Sequence, residues 1–222
     1  MSNFSKEIFG GDKKSGKSFL SFIEDRLAKF LLKLVPSWIE TYHLTLSTIL
    51  WSILIVVFGF LAKDNINWLW ASSVIILFQY LTDLLDGKIG ILRKTGLIRW
   101  GYYMDHFLDY IFLCSILIGY SFIITDSFKY LLFFILAFFG AFMVNSYLAF
   151  SATNKFKISY LNIGPTEIRI VFIMINTLFI YGRTYALMFL PYILILALVG
   201  LCVVVYRTQK YIWKIDMKNR HS

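Results

Sequence analysis

Long apolar runs separated by short basic stretches dominate the chain. Residues 44–62, 66–82, 130–152 and 185–206 contain no Asp, Glu, Lys or Arg. Each is close to the roughly 20 residues needed to cross a bilayer as a helix. A fifth run, 101–125, carries Asp105 and Asp109 in its first turns and is then free of charge. The sixth, 168–182, is short and bracketed by Arg169 and Arg183, whose long side chains can snorkel. This pattern predicts an all-α integral membrane protein built as a bundle of six transmembrane helices. Upstream, Leu20, Ile23, Leu27, Phe30, Leu31 and Leu34 recur at helical spacing, with Glu24, Asp25, Lys29 and Lys33 on other faces. That spacing predicts an N-terminal amphipathic helix within 18–36, lying in the interface and packed on the cytoplasmic side of the bundle. The predicted organisation is a polar flexible segment at 1–17, the juxtamembrane helix, a transmembrane domain at 42–206 and a basic tail at 207–222.

Composition agrees. Of 222 residues, 59% are hydrophobic and only 16% charged, against about 25% in soluble domains. A net charge of +9 raises the question of nucleic acid, but its distribution gives another answer. Nineteen Lys and Arg residues fall in the N-terminal segment, the second and fourth connections and the tail, against three in the opposite-side connections. By the positive-inside rule both termini are cytoplasmic, and no nucleic-acid partner is implied. Cys114 and Cys202 lie inside apolar runs and provide neither a disulfide framework nor a zinc site.

Four carboxylates sit where they are costly. Asp83 and Asp86 end the second span, and Asp105 and Asp109 begin the third. Residues three or four apart share a helix face, so each helix presents a pair in one direction. The short connection suggests that the two helices are neighbours and that the pairs converge. Each carboxylate costs about 2.5–3.5 kcal/mol at the centre of a membrane, an upper bound near the interface. Divalent cations with a taste for hard oxygen relieve that cost. Gly87 and Gly90 continue the Asp83 face without side chains, admitting a ligand or another helix closely.

These residues resemble the signature of the CDP-alcohol phosphotransferase family, D-x2-D-G-x2-A-R-x8-G-x3-D-x3-D. The match comprises Asp83, Asp86, Gly87, Gly101, Asp105 and Asp109. Gly90 replaces the small Ala, Ile91 replaces the Arg, and the interval from Gly87 to Gly101 is one residue longer. The resemblance implies transfer of a substituted phosphate group from a CDP-linked donor, a CDP-alcohol or CDP-diacylglycerol, to an alcohol or lipid acceptor hydroxyl, with release of CMP. It implies two divalent ions, Mg²⁺ or Mn²⁺, held by Asp83, Asp86 and Asp105, with Asp109 a further ligand or the base. It also implies cytidine packed on Gly87 and Gly90, and a homodimer, common in that family.

Further residues join by the same resemblance. His106, directly after the third Asp, and the string Gly164-Pro165-Thr166-Glu167 are similar to the choline/ethanolamine branch. His106 is a candidate base. Physically, Thr166 could cap the fifth helix with Glu167 in its first turn. Arg93, about 20° from Asp86 on a helical wheel, could replace the missing Arg if the helix continues past Gly90. Thr45 is placed for a nucleotide contact. Lys155, Lys157 and Arg169 gather at the cytoplasmic end of the fourth and fifth spans and suit an anionic acceptor or headgroup. The chain is thus expected in a cell inner membrane or an endomembrane, working on lipid at the cytoplasmic face. A catalytically silent or transport-related protein that binds metal or nucleotide is the alternative.

Overall fold

Each charge-free run becomes a long helix, because backbone polar groups in lipid must be satisfied within the segment itself. The computed structural model describes residues 21–94, 97–153 and 164–220, and among these all regular structure is helical. The elements are α1 (Ser21–Leu31), α2 (Thr41–Leu61), α3 (Trp68–Arg93), α4 (Ile98–Ile123), α5 (Asp126–Thr153) and α6 (Pro165–Arg220). Among the described residues five helices, α2 to α6, are long and apolar enough to cross a membrane, where the sequence pattern predicts six. The difference arises at Gly182, the one non-helical residue inside α6 (φ −158°, ψ 59°). Helix resumes directly on both sides of it, so no loop separates the fifth and sixth predicted spans. The predicted basic tail is likewise helical as far as Arg220.

α2 is the shared partner of the bundle. It packs along both α3 and α4, whereas α3 and α4 have little direct backbone contact with each other. This corrects the expectation that their short connection makes them close neighbours. The α2–α4 crossing is tight because two glycines meet there: a Cβ on Gly59 would overlap Gly119 Cα and stand 3.0 Å from its carbonyl atoms. Small residues at such a crossing let backbones approach where lipid provides no hydrophobic drive for association.

The two halves of α6 have different partners. Before Gly182, Phe172 and Phe179 join the core formed by Ile55 of α2, Ile76 of α3 and Phe112 and Ile116 of α4. After it, Leu190 and Leu194 pack against Leu131 of α5, and Gly200 lies beside Phe142 of the same helix. Asn176, 1% exposed, fixes the rotation of the first half. It accepts a hydrogen bond from Tyr120 Oη at 2.8 Å and donates to Ser73 Oγ at 2.9 Å. Interhelical bonds of this kind contribute about 0.6–2 kcal/mol each in a membrane. Arg169 lies two turns earlier on the same face, about 10 Å along the axis. The buried amide at one level therefore sets the direction of the guanidinium at another.

Candidate active site

The buried stripe of α3 runs through Leu69, Ser73, Ile76 and Gln79 and continues into Asp83 and Asp86. The stripe of α4 runs back through Ile116, Phe112 and Asp109 to Asp105. One amphipathic period therefore delivers both the apolar core and the carboxylates beyond it. α3 continues past Gly90 to Arg93 and ends at Lys94, which adopts a left-handed conformation (φ 54°) and donates its N–H to the Gly90 carbonyl.

Asp83, Asp105 and Asp109 converge. One oxygen from each lies within 4.8 Å of the others, and all three residues are half-buried. That spread is slightly wider than the about 4.2 Å across an octahedral magnesium shell, and the donors are the hard anionic oxygens such an ion prefers. The residues thus fit a small divalent cation. Asp86, also buried, stands outside this trio. Its carboxylate accepts from Thr45 Oγ1 at 3.0 Å and from the Gly87 N–H. The Thr45 hydroxyl also lies 3.1 Å from the Thr41 carbonyl. Thr45, assigned by sequence to nucleotide, faces a motif carboxylate.

A positive group inside the cluster was not foreseen. Arg169, 8% exposed, reaches from α6 to Asp83 Oδ2 at 2.9 Å and Asp109 Oδ1 at 3.3 Å. Its Nε donates to Gln79 Oε1 at 2.7 Å, and Gln79 Nε2 donates to Asp109 Oδ1 at 3.3 Å. The sequence points Arg169 at an anionic acceptor and assigns relief of the carboxylates to divalent cations. Here its guanidinium is turned onto the carboxylates themselves. Gln79 was missed altogether. Its only signal is an amide inside a charge-free span, four residues before Asp83 and hence on its face.

His106 sits beside the trio. Its Nδ1 lies 2.7 Å from the Tyr102 carbonyl and 3.7 Å from Asp105 Oδ2. A carbonyl oxygen only accepts, so Nδ1 carries the hydrogen and Nε2 is the basic nitrogen of the neutral ring. Tyr147 of α5 donates to the His106 carbonyl at 3.4 Å. Gly87 and Gly101 have nothing within 4 Å of an added Cβ, so these parts of the motif border open space.

Other predicted residues lie elsewhere. Arg93 donates to the Pro36 carbonyl at 2.8 Å, tying α3 to the chain between α1 and α2. Lys155 and Lys157 lie outside the described residues, as do residues 1–20. Thr166 lies inside the first turn of α6, which starts at Pro165, so it does not cap that helix. Its hydroxyl donates to Glu24 of α1, and Glu167 reaches back to accept the Gly164 N–H at 2.8 Å. A second tie fastens α1 to the motif helix: Lys88 Nζ lies 2.7 Å from Asp25 Oδ1. That hydrogen bond, reinforced by the charge of Lys88, holds the Asp25 carboxyl below the ordinary aspartate range.

No curated protein and no solved structure matches the chain. A family model described as CDP-alcohol phosphatidyltransferase matches residues 38–205. That stretch contains Thr45, Gln79, the four motif carboxylates, His106 and Arg169, together with all of α2 to α5. On this match, and with its motif carboxylates gathered at one end of the bundle, the chain belongs to the CDP-alcohol phosphatidyltransferase family.

Proposed function

We propose that this protein is a metal-dependent transferase of lipid synthesis that moves a substituted phosphate group from a CDP-linked donor to an acceptor hydroxyl, releasing CMP. The convergence of Asp83, Asp105 and Asp109 across the α3–α4 gap carries this reading. Together with Asp86 they would hold two Mg²⁺ or Mn²⁺ ions, which supply charge neutralisation for a pyrophosphate and a departing CMP. The acceptor oxygen forms a bond to the phosphorus of the transferred group. The bond from that phosphorus to the bridging oxygen breaks, and CMP keeps its electron pair. The hydroxyl proton passes to Asp109 or to Nε2 of His106. Gly87 and Gly101 border the open space that suits the nucleotide, and Gly90 extends the same bare face. Thr45 would act on the nucleotide through Asp86, and Arg93 would have to leave the Pro36 carbonyl to reach it. Lys155 and Lys157 suit an anionic acceptor.

The basic bias of the connections supports a cytoplasmic site with both termini on that side. Six crossings accord with the separate partners of the two α6 halves, since a straight helix of 56 residues spans about 84 Å, far more than one hydrocarbon core. The test is CMP release by the purified protein. It is supplied with labelled CDP-diacylglycerol or CDP-choline, a panel of alcohol acceptors, and Mg²⁺ or Mn²⁺. Metal-dependent CMP formation with one donor class is expected. Intact metal binding with no CMP from any donor would favour a catalytically silent relative, a reading that Ile91 in place of the motif Arg supports.

A further inference from the structure

We propose that Arg169, clamped by Gln79, is the resident counter-ion of the carboxylate cluster, holding Asp83 and Asp109 in register and competing with divalent metal for them. This rests on the metal-binding reading above and extends it to residues outside the family motif.

The cluster is anionic and half-buried, and a guanidinium is the one side chain that remains charged in such a place and offers a fork of donors. Arg169 uses two edges of that fork. Its Nη2 meets Asp83 and Asp109, while its Nε is anchored on Gln79 Oε1. Gln79 is 1% exposed and completes the loop by donating to Asp109. The amide thereby ties the cation and one carboxylate to the same residue of α3. Arg169 offsets part of the negative charge of Asp83 and Asp109, charge that a divalent ion would otherwise offset. Removing one partner of a buried ion pair leaves an uncompensated charge, which is strongly destabilising. Arg169 therefore stabilises the metal-free protein at the expense of metal affinity. Asn176, bonded to α3 and α4 two turns away, holds α6 in the rotation that keeps the fork inside the cluster.

The detergent-solubilised full chain provides the test, with Mn²⁺ alone as probe. Binding is followed by loss of the free-Mn²⁺ electron paramagnetic signal, and stability by thermal unfolding with and without the ion. Arg169→Gln is expected to lower the metal-free unfolding temperature, to bind Mn²⁺ at least about tenfold more tightly, and to show a larger Mn²⁺-induced stabilisation than wild type. Arg169→Lys keeps the charge but loses the fork, and is expected to shift both quantities the same way by a smaller factor, about threefold in affinity. The Lys variant decides the matter if the Gln variant does not accumulate. Equal or weaker Mn²⁺ affinity in the variants, with wild type binding normally, overturns the counter-ion role while the transferase reading survives. A variant whose sole change is a higher KM for the acceptor overturns it too, in favour of an acceptor-binding arginine. Absence of Mn²⁺ binding in wild type and both variants removes the metal reading itself, and this inference with it.

Discussion

The Thr45 hydroxyl of α2 stands 3.0 Å from Asp86 Oδ2 of α3, with both residues more than nine-tenths buried. A buried carboxylate needs donors, and this one receives a helix-to-helix bond where α2 passes behind the motif. Thr45→Val preserves shape and deletes the donor. It should cost about 1–3 kcal/mol in stability and lower kcat/KM by loosening Asp86, whereas Thr45→Ser should restore most of both. Thermal unfolding in detergent and steady-state CMP release make the comparison. Wild-type stability in the Val variant would show that Asp86 is satisfied without Thr45.

Glycine substitutions separate packing from ligand approach. Gly59→Ala drives a methyl into the Gly119 backbone and should destabilise the fold by about 1–3 kcal/mol. Gly87→Ala meets no protein atom within 4 Å. Its helix should be unharmed, or steadier by about 0.5–1 kcal/mol. If the bare face of α3 receives the CDP donor, Gly87→Ala should nevertheless raise KM for that donor by about tenfold. Unfolding temperatures and donor titrations run in parallel decide it. An unchanged KM would put the nucleotide somewhere else.

What the sequence could convey was periodicity. The i, i+3 and i, i+4 spacing of Asp83, Asp86, Asp105 and Asp109 announced that two helices each present a pair, and the trio does meet. The apolar runs likewise marked α2 to α5. Contacts between helices distant in the chain have no such signature. Arg169 looked like a topological or anion-binding charge because nothing local reveals that α6 lies against Gln79 and Asp109. Gly59 and Gly119 resembled any other membrane-helix glycines, although their encounter sets the α2–α4 distance. The short α3–α4 connection misled for a physical reason: α2 is inserted as the common partner, and only the side chains close the gap. Arg93 has the predicted helical direction near Asp86, yet the Pro36 carbonyl is within its reach and takes its proton donor.

The trio itself gives the most severe expectation. Asp105→Asn keeps volume and hydrogen-bonding capacity while removing one of three converging charges. CMP release should fall at least about a hundredfold, with expression and membrane insertion unchanged, because insertion gains from losing a carboxylate. Turnover and Mn²⁺ affinity of the same preparation are the measurements. Retention of wild-type rates would remove Asp105 from the ion site.

The α1 helix should respond to acid through Asp25. Lys88 holds that carboxyl below its ordinary value, so between the lowered value and the ordinary one the docked state binds fewer protons than the undocked one. The tie is therefore fully present above the ordinary aspartate range and fades as pH falls through the lowered value. Asp25 is largely exposed, so the contribution is small and screened by salt. Hydrogen exchange over Ser21–Leu31, corrected for intrinsic rates, should show protection declining on acidification and in high salt. Asp25→Asn should start from lower protection and lose the Asp25 part of the acid response. If that variant declines with acid as wild type does, the Lys88 tie contributes nothing measurable to docking.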